Sequence, residues 1–565
     1  MKKWELQNKL KVKGEKFKTP DLISLLLENR GIKTKKEIDK FLNPKLEDLD
    51  INSLGINKKD LTKTLNRIKT AIKKKELIII FGDYDADGIT GTAILWETLN
   101  SLGANVMPYI PNRISEGYGL SKKGAEGMKS KYPDVSVVIT VDNGIVAFEG
   151  TDFANSLGLD VIITDHHVPG EKLPEAYSII HSTKVCGSAV GWFLSRYLEE
   201  KINGKKDPTK HLDLVTIATI ADLVPLTGAS RILVKLGLPK LRKTKRPGLI
   251  ALFEEAGIES SNVDTYEIGH IIAPRLNAMG RLDEAMDSLR LLCTTDPIKA
   301  RNLARIIGET NRSRQQITAE TVEHAKDIAS SKISEKLLFV YHESYQPGVI
   351  GLVAGRLTEE YYLPAIVLSK GEEFSKASAR SVSGLNIIEF IREASDFLVD
   401  AGGHPMAAGF TVETSKLLLL EKKFEELAEK LISKDHLVRK LKIDCEIPIS
   451  IIDLDLFAKI SELEPFGMKN PAPVFLSKGL IIENMRLVGG DKHLKISFQS
   501  RSDLDIASNQ GRTLNGGSIG GIMFNYDQSL SLKVGDIVDV VYSISQNEWN
   551  GSKKLELKIK DLKKN

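Results

Sequence analysis

Short, nearly unbroken apolar runs separated by amphipathic stretches dominate the first half of this chain. "LIII" (Leu77–Ile80) precedes "TGTAILWETLNSLG", whose apolar spacing predicts a helix ending at Gly103. "NVMPYIP", "DVSVVITVDNG" and "LDVIITDHHVPG" read as further strands, with helical patterns between them. Strands apolar on both faces and alternating with helices predict a parallel sheet covered on both sides. "HLDLVTIATIADLVPL" reads as a buried helix whose apolar periodicity breaks at Asp222.

A long helical pattern follows, with Asp296 placed to cap it and Pro297 at its first position. Continuous to Ala329 it would be about 50 Å long, enough to bridge two domains. Beyond it "EKLLFVYHE", "PAIVLSK" and "EFSKASARSV" read as strands, "GVIGLVAGRLTEEYY" and "NIIEFIREASDFLVDA" as helices, and "AGGHPMAAGF" as a glycine-rich turn around His404. From Leu441 onward the runs "LKISFQ", "IGGIMFN", "DIVDVVYSI" and "KKLELKIKDL" predict a small β domain, with an OB-fold barrel as the expectation. "SRSDLDIASNQGRTLNGGS" reads as a loop. The expected α/β organisation is a basic segment (1–75), a parallel-sheet domain (76–295), a connecting helix (296–334), a smaller α/β domain (335–436) and the β domain (437–565).

Composition adds only a few constraints. No apolar stretch approaches the ~20 residues that span a bilayer, and the basic N-terminus lacks the apolar core of a secretory signal. Cys186, Cys293 and Cys445 lie far apart, which predicts a reducing cytoplasm and argues against a cysteine zinc site. Met1–Ile80 holds 21 Lys+Arg and 11 Asp+Glu, a charge of +10, so the remainder carries −6 of the net +4. A basic arm suits a phosphate-rich partner, and a solvated lysine-rich surface accounts for it equally well.

Candidate chemistry begins at "FGDYDADGIT". Asp83, Asp85 and Asp87 alternate, and on extended backbone they would share a face roughly 6.5 Å apart. No lysine or arginine lies between them, so either water screens them or a cation holds them. An EF-hand is excluded, because its twelfth position would be Ile94 rather than Glu. The aspartyl-phosphate loop of haloacid-dehalogenase phosphatases uses one aspartate and a single magnesium, with no need for an Asp-His-His cluster. Asp142 ends one later apolar run, and Asp165, His166 and His167 end another. In open parallel sheets ligands bind at such carboxyl ends. Asp222 sits among aliphatic residues and is read as a metal ligand, a cap or half of a buried ion pair. A set rich in carboxylate and free of thiolate suits Mn²⁺ or Mg²⁺. It is large enough for two ions sharing one aspartate, the arrangement that serves in-line attack on phosphorus.

The same residues carry a family resemblance. "DYDADG", "DNG", "TDHH" and "ADLVPL", in this order, are similar to the DHH phosphoesterase superfamily. "IPNRISEGYGL", "RLNAMGRL", the long helix and "GGHPMAAG" narrow it to the RecJ family of single-strand-specific 5′-to-3′ DNA exonucleases, over about Ile79 to the C-terminus. The resemblance implies a DHH domain, a DHHA1 domain and an OB-fold. It implies two-metal hydrolysis of single-stranded DNA to mononucleotides, in recombination and repair. Asp85, Asp142 and His166 would hold one ion, and Asp87, Asp142 and Asp222 the other. His167 would face the scissile phosphate, with Asp83 and Asp165 as orienting groups. Arg113 and Tyr118, then Arg275, Asn277 and Arg281, then Ser378, Arg380 and His404 are candidate substrate contacts; singly, such arginines often pair with carboxylates. A single-strand-binding protein and a repair helicase are candidate partners, and no membrane is expected. Gln346 stands where the family pattern has histidine, the stretch after "TDHH" is short, and "IIHSTKVC" replaces an asparagine-proline segment. Two other readings are a phosphodiesterase for short oligonucleotides or cyclic dinucleotides, and a non-catalytic DNA-binding scaffold. The β domain and basic arm speak against the first, the full ligand set against the second.

Overall fold

The computed structural model describes residues 2–7, 19–113, 115–204, 207–331, 335–500, 518–549 and 552–565. The chain forms two compact units, one of residues 45–437 and one of residues 1–44 with 438–565.

The larger unit is built on five parallel strands in the order Asn105–Tyr109, Leu77–Gly82, Val135–Val141, Asp160–Asp165 and Ser178–His181. The last of these was not read from the sequence, being only four residues long. Strand alternation puts Ile78, Ile80, Ile139 and Ile162 in one core, and Ile79, Phe81, Val138, Val161 and Ile163 in another on the opposite face. Runs apolar at every position are therefore what this sheet requires. The helix Ala86–Ser101 is buried nearly all round rather than amphipathic, since it packs against Gly187–Asn203 and Leu212–Ala221 as well as the sheet. The first strand has neighbours on both sides that come later in the chain. The crevice therefore opens where the carboxyl ends of Leu77–Gly82 and Val135–Val141 part company.

Pro297–Ser331 is one continuous helix, and Asp296 Oδ1 accepts from the amides of Ile298 and Lys299 as the capping pattern predicted. Its Ala300, Leu303 and Ile307 join the core of the parallel-sheet region. Its Val322, Ala325 and Ala329 join a core with Leu338, Val340 and Ile350. The second sheet runs Leu398–His404, Ala407–Glu413, Phe374–Arg380, Ala365–Ser369 and Leu338–His342, antiparallel except for its last pair. Here the helix expected over "NIIEFIREASDFLVDA" stops at Arg392, and Leu398–His404 is a strand. Pairing with Ala407–Glu413 overrides the local helical pattern, so the expected glycine-rich turn is a hairpin in which His404 faces Ala407.

In the smaller unit Phe475–Val488, a strand missed in the sequence, pairs with both His493–Ser500 and Ile537–Trp549. Ile519–Met523 pairs with His493–Ser500 and with Ser552–Lys564, which in turn pairs with Ile537–Trp549. The predicted loop falls mostly on residues 501–517, outside the described residues. The segment 1–75, read as one basic arm, is divided between the units. Lys3–Leu6 pairs in parallel with Lys440–Ile443. Leu22, Leu25, Leu26 and Leu27 of the helix Thr19–Asn29 share a core with Cys445, Ile447, Phe475 and Phe498. Arg30 donates through Nε to Asn470 at 2.8 Å, and Asn29 to Asp444 at 3.1 Å.

Truncation tests this arrangement. Removing residues 438–565 alone strips the cover from Leu22, Leu26 and Leu27, so that variant should self-associate. Removing residues 1–44 as well should restore a monodisperse protein, as read by size-exclusion chromatography with light scattering.

Candidate active site

The three alternating aspartates do not share one face of an extended segment. Asp83 follows the strand, Asp85 caps the helix Ala86–Ser101, and Asp87 lies in that helix's first turn. Asp85 Oδ1 accepts from the amides of Asp87 and Gly88 at 2.9 and 3.0 Å. Asp87 receives the amides of Gly187 and Ser188, both at 2.7 Å, at the start of the helix Gly187–Asn203. That helix end brings positive backbone dipole onto a buried carboxylate. Gly187 is required there, because a Cβ would lie 2.6 Å from the Cβ of Asp142. Asp142 leaves the strand Val135–Val141 with φ of 63°, a conformation Asp tolerates better than most residues. Asp222 ends the helix Leu212–Ala221.

These elements converge. His166 Nε2 lies 3.0 Å from Asp142 Oδ1, 3.5 Å from Asp222 Oδ2 and 3.9 Å from Asp87 Oδ2. Three overlapping trios each place one donor atom per residue within 4.8 Å of the others: Asp142–His166–His167, Asp87–His166–Asp222 and Asp83–Asp85–Asp142. The division expected from the family resemblance, Asp85 and Asp142 with His166 and Asp87 and Asp142 with Asp222, is not how these trios fall. His166 sits with Asp87 and Asp222, and Asp83 sits with Asp85. Asp142 and His166 each take part in two trios.

The site is short of hydrogen-bond partners. Asp83 Oδ1, Asp142 Oδ1 and His166 Nε2 are buried without a well-formed hydrogen bond, the last two meeting only each other at 3.0 Å, a costly condition unless a cation completes them. Burial, and then Asp87, Asp85 and Asp222, push Asp142 well above the usual carboxylate range. Burial and Asp85 do the same to Asp83. Asp222 is pushed up to about 9 by burial, Asp87 and Asp85, while burial pushes His166 down. Oxygen donors with one imidazole, orphaned and mutually repelling, fit hard divalent cations.

Asp165 is differently placed. Its oxygens accept from the amides of Ile145, His166 and His167 and from His167 Nδ1 at 2.8 Å. Burial opposes its charge, but the His167 contact and these amides outweigh it and hold the carboxyl low. His167 is lifted to about 9: burial lowers it, and Asp165, Asp222 and Asp83 more than offset that. Its Nε2 lies 3.2 Å from the hydroxyl of exposed Tyr118. His181 Nε2 donates to the carbonyl of His167 at 2.7 Å, so the shortened stretch after "TDHH" returns a support to this histidine.

A second cleft, about 630 Å³, is lined by Arg113, Arg281, Gly348, Ser378, Arg380 and the hairpin residues Gly402–Gly403 and Ala407–Gly409. Arg281 donates to the carbonyl of Gly348 at 3.1 Å, and Arg380 to Ser378 Oγ at 3.2 Å. Arg113 lies over the Tyr84 ring at 5.2 Å. Among the described residues, none of the three guanidinium groups has a carboxylate within ion-pair distance. Burial and then Arg113, Arg314 and Arg380 push Arg281 down to about 10. Such crowding of cations without counter-ions prepares a place for an anion.

The remaining candidates do other things. Arg275 is paired with Glu255 at 2.9 Å, which also holds Arg312 of the long helix. Asn277 Oδ1 accepts from the Ala86 amide at 2.7 Å and so fixes the Asp85–Asp87 turn. Neither lines the cleft; exposed His404 does not either, nor does exposed Gln346. Sequence reading missed Asn143, buried and bonded to the carbonyls of Phe81 and Val141 and the amide of Leu120, although "DNG" had flagged its position. It also missed Tyr84, His181 and the amides of Gly187 and Ser188, whose roles exist only across elements.

Comparison with known proteins extends this geometry. Family models match as the DHH family N-terminal domain at residues 77–219, the DHHA1 domain at 334–434 and the RecJ OB domain at 443–561. The single-stranded-DNA-specific exonuclease RecJ of Bacillus subtilis (strain 168) is 35% identical over 99% of this chain and 70% of its own length. That of Dickeya dadantii is 30% identical over 96% of both chains. The crystal structure of RecJ from Thermus thermophilus in complex with Mn²⁺ superposes with a TM-score of 0.82 at 28% identity, covering all of this chain and 80% of that one. The Mg²⁺ complex of the same protein gives 0.76 at 27% identity, again covering all of this chain and 78% of that one.

The raised carboxylates set a pH dependence. A group whose folded pKa exceeds its unfolded value stabilises below the unfolded value and loses that contribution as pH rises through the folded one. Asp83, Asp142 and Asp222, with His167, are all raised. The metal-free chain should therefore lose stability from about pH 4, where unfolded carboxylates titrate, up to about pH 9, where Asp222 and His167 titrate, and Mn²⁺ should flatten the loss. Mn²⁺ binding at about pH 7 should also release protons, seen calorimetrically in buffers of different ionisation enthalpy. A heat independent of buffer would contradict the assignment.

Proposed function

Because the chain belongs to the RecJ family of single-stranded-DNA-specific exonucleases, we propose that it hydrolyses single-stranded DNA from the 5′ end to mononucleotides, in recombination and repair. The observation that carries the reading is the juxtaposition of two sites in one unit. One is a cluster of buried carboxylate and imidazole atoms without well-formed hydrogen bonds; the other is a cleft of guanidinium groups without counter-ions.

Asp85, Asp87, Asp142, His166 and Asp222 would hold a pair of Mn²⁺ or Mg²⁺ ions, and the Asp83 oxygen without a hydrogen bond makes it a further candidate ligand. Bound there, the ions lower the pKa of water and neutralise charge developing on phosphate oxygens. The chain's own groups do the rest. Asp165 fixes the His167 ring, which keeps its proton near neutral pH and offers it from Nε2 to an oxygen of the scissile phosphate. Tyr118, exposed above that ring, stacks on the unpaired base that carries the phosphate.

Polarity has to come from the grip on the strand end, since the metal site itself does not distinguish directions. A terminal 5′ phosphate has more charge and more acceptor oxygens than an internal diester. Arg113 and Arg281 on one side of the cleft, and Ser378 and Arg380 on the other, supply forks and a hydroxyl for it. A narrow cleft that admits one strand excludes duplex DNA by size. The reading calls for partners that expose single strands, a helicase and a single-strand-binding protein, in the cytoplasm.

Two substitutions test it. Asp142→Ala should abolish hydrolysis while leaving the fold intact, because it relieves carboxylate repulsion as it removes a shared ligand. Activity within tenfold of the parent under Mn²⁺ would falsify the two-metal assignment. Arg380→Ala removes a charge-assisted contact worth about 1.5–3 kcal/mol, so kcat/KM should fall roughly 10- to 150-fold on 5′-phosphorylated strands and far less on 5′-hydroxyl strands. Equal losses on both substrates would remove Arg380 as the end reader.

A further inference from the structure

The cleft of guanidinium groups continues past the place where a terminal phosphate is gripped. Its volume of about 630 Å³ suits a drug-sized molecule, far more than one phosphate group fills. The strand Phe374–Arg380 forms one long wall. Ser375, Ala377 and Ala379 are buried, so Phe374, Lys376, Ser378 and Arg380 stand on the opposite face, roughly 6.5 Å from one to the next. All four line the cleft. Arg281 bonds the Gly348 carbonyl, and a Cβ at Gly351 would lie 3.0 Å from Arg380 Nη2, so Arg281 and Arg380 share one end. Arg113 lies over Tyr84, which stands between Asp83 and Asp85, so that end adjoins the metal-site loop. Phe374 and Lys376 lie beyond the phosphate grip, on the side away from the metal site. Gly402, in register with Ser378 through Gly409, opens on space: a Cβ there would meet nothing within 4 Å. Among the described residues, no Asp or Glu lines the cleft. Glu413, in register with Phe374, is paired with Lys416 at 2.9 Å.

From this wall we infer that the far end of the cleft is a subsite for a group joined to the 5′ phosphate, a second phosphate bearing a nucleoside, and that strands capped in this way are substrates too. The subsite rests on the exonuclease reading above and widens its substrate class. With the terminal phosphate on Ser378 and Arg380, Lys376 stands roughly 6.5 Å and Phe374 roughly 13 Å beyond Ser378 along the strand. Lys376 is exposed and, among the described residues, has no carboxylate within ion-pair distance. It suits the second phosphate. Phe374 is 44% exposed, and no described ring or cation covers it. An uncovered aromatic one step beyond a cation suits the base of a cap; a bare 5′ phosphate uses neither residue. The reaction is unchanged. Water adds to the phosphorus of the first internucleotide diester, the P–O3′ bond breaks, and the leaving O3′ takes up a proton. The cap departs on the first nucleotide with its pyrophosphate intact. The shortened strand keeps a 5′ phosphate and is then degraded like any other.

The test gives the full-length protein and Mn²⁺ two single strands of one sequence, one 5′-phosphorylated and one 5′-adenylylated through a pyrophosphate. The adenylylated strand should be cut with a kcat/KM within tenfold of the other. Mass spectrometry of its products should find adenosine joined through a pyrophosphate to a single deoxynucleoside. Phe374→Ala and Lys376→Ala should each lower kcat/KM on the adenylylated strand tenfold or more and leave the phosphorylated strand within twofold, and Phe374→Trp should restore the loss at its position. An adenylylated strand that resists while the phosphorylated one is degraded overturns the subsite and leaves the exonuclease reading standing. Equal losses on both strands overturn it too, since the two residues would then serve the strand itself. If Lys376→Ala alone impairs the adenylylated strand, the nucleoside is not held and the subsite is again overturned. In EDTA, where nothing is cut, fluorescence anisotropy of the labelled adenylylated strand reads binding by itself. Binding that Phe374→Ala weakens, in a protein that cuts neither strand, would sink the exonuclease reading and leave the subsite standing.

Discussion

Mutual repulsion of buried carboxylates is the constraint around which the larger unit is organised. Asp83, Asp85, Asp87, Asp142 and Asp222 are brought together from three separate stretches of chain, and four of them are raised above the ordinary carboxylate range. Such a cluster opposes folding unless something holds it. The holding groups are backbone dipoles in part: the amides of Gly187 and Ser188 on Asp87, and the helix start at Asp85. The remaining deficit is left to a cation. An enzyme that needs its metals bound tightly enough to act, and its acids ready to receive them, carries this tension in its apo fold.

Local choices follow from that tension. Gly187 is small because Asp142 must come within contact of a helix end. Asp142 takes a left-handed backbone to turn its carboxylate over the sheet edge. Asn143 ties that turn to the neighbouring strand and to Leu120, and Asn277 ties the Asp85 turn to the helix Ala273–Leu282. Asp165 is the one acid of this group held low, because amides and His167 surround it. It fixes a histidine, while its neighbours keep the raised carboxyls that a cation would settle. Asp142 and Asp165 thus end adjacent strands and take opposite electrostatic roles through their partners alone.

The long helix gives the second chemistry its place. Its first turns pack in the core of the parallel-sheet region and its last turns in that of the second sheet, and Arg312 reaches Glu255, which also holds Arg275. That anchoring lets the hairpin Leu398–His404 and Ala407–Glu413, with the strand Phe374–Arg380, present Ser378 and Arg380 opposite Arg113 and Arg281. Three guanidinium groups thus crowd one cleft without carboxylate partners. Arg275, similar in sequence context, is neutralised by Glu255.

Much of this was legible in the sequence. Continuous apolar runs ending in acids announced a parallel sheet with a site at its carboxyl edge, because burial on both faces and ligand placement leave marks at fixed spacing. The cap and length of the helix from Pro297 were equally plain, since Asp-Pro and a period of about 3.6 residues are local signals. Composition and ligand type alone pointed to Mn²⁺ or Mg²⁺. What the sequence could not decide depended on pairing across distance. The strand at Leu398–His404 reads as helix until its partner is known, and Phe475–Val488 was missed without its two neighbours. Residues 1–44 read as a basic arm, yet their leucines are covered by residues 438–565. The trio in which each aspartate lies, the contact of Arg275 with Glu255 and that of Asn277 with the Ala86 amide appear only in the tertiary structure. Charge and hydrophobicity are properties of a residue, whereas its partner is a property of the fold.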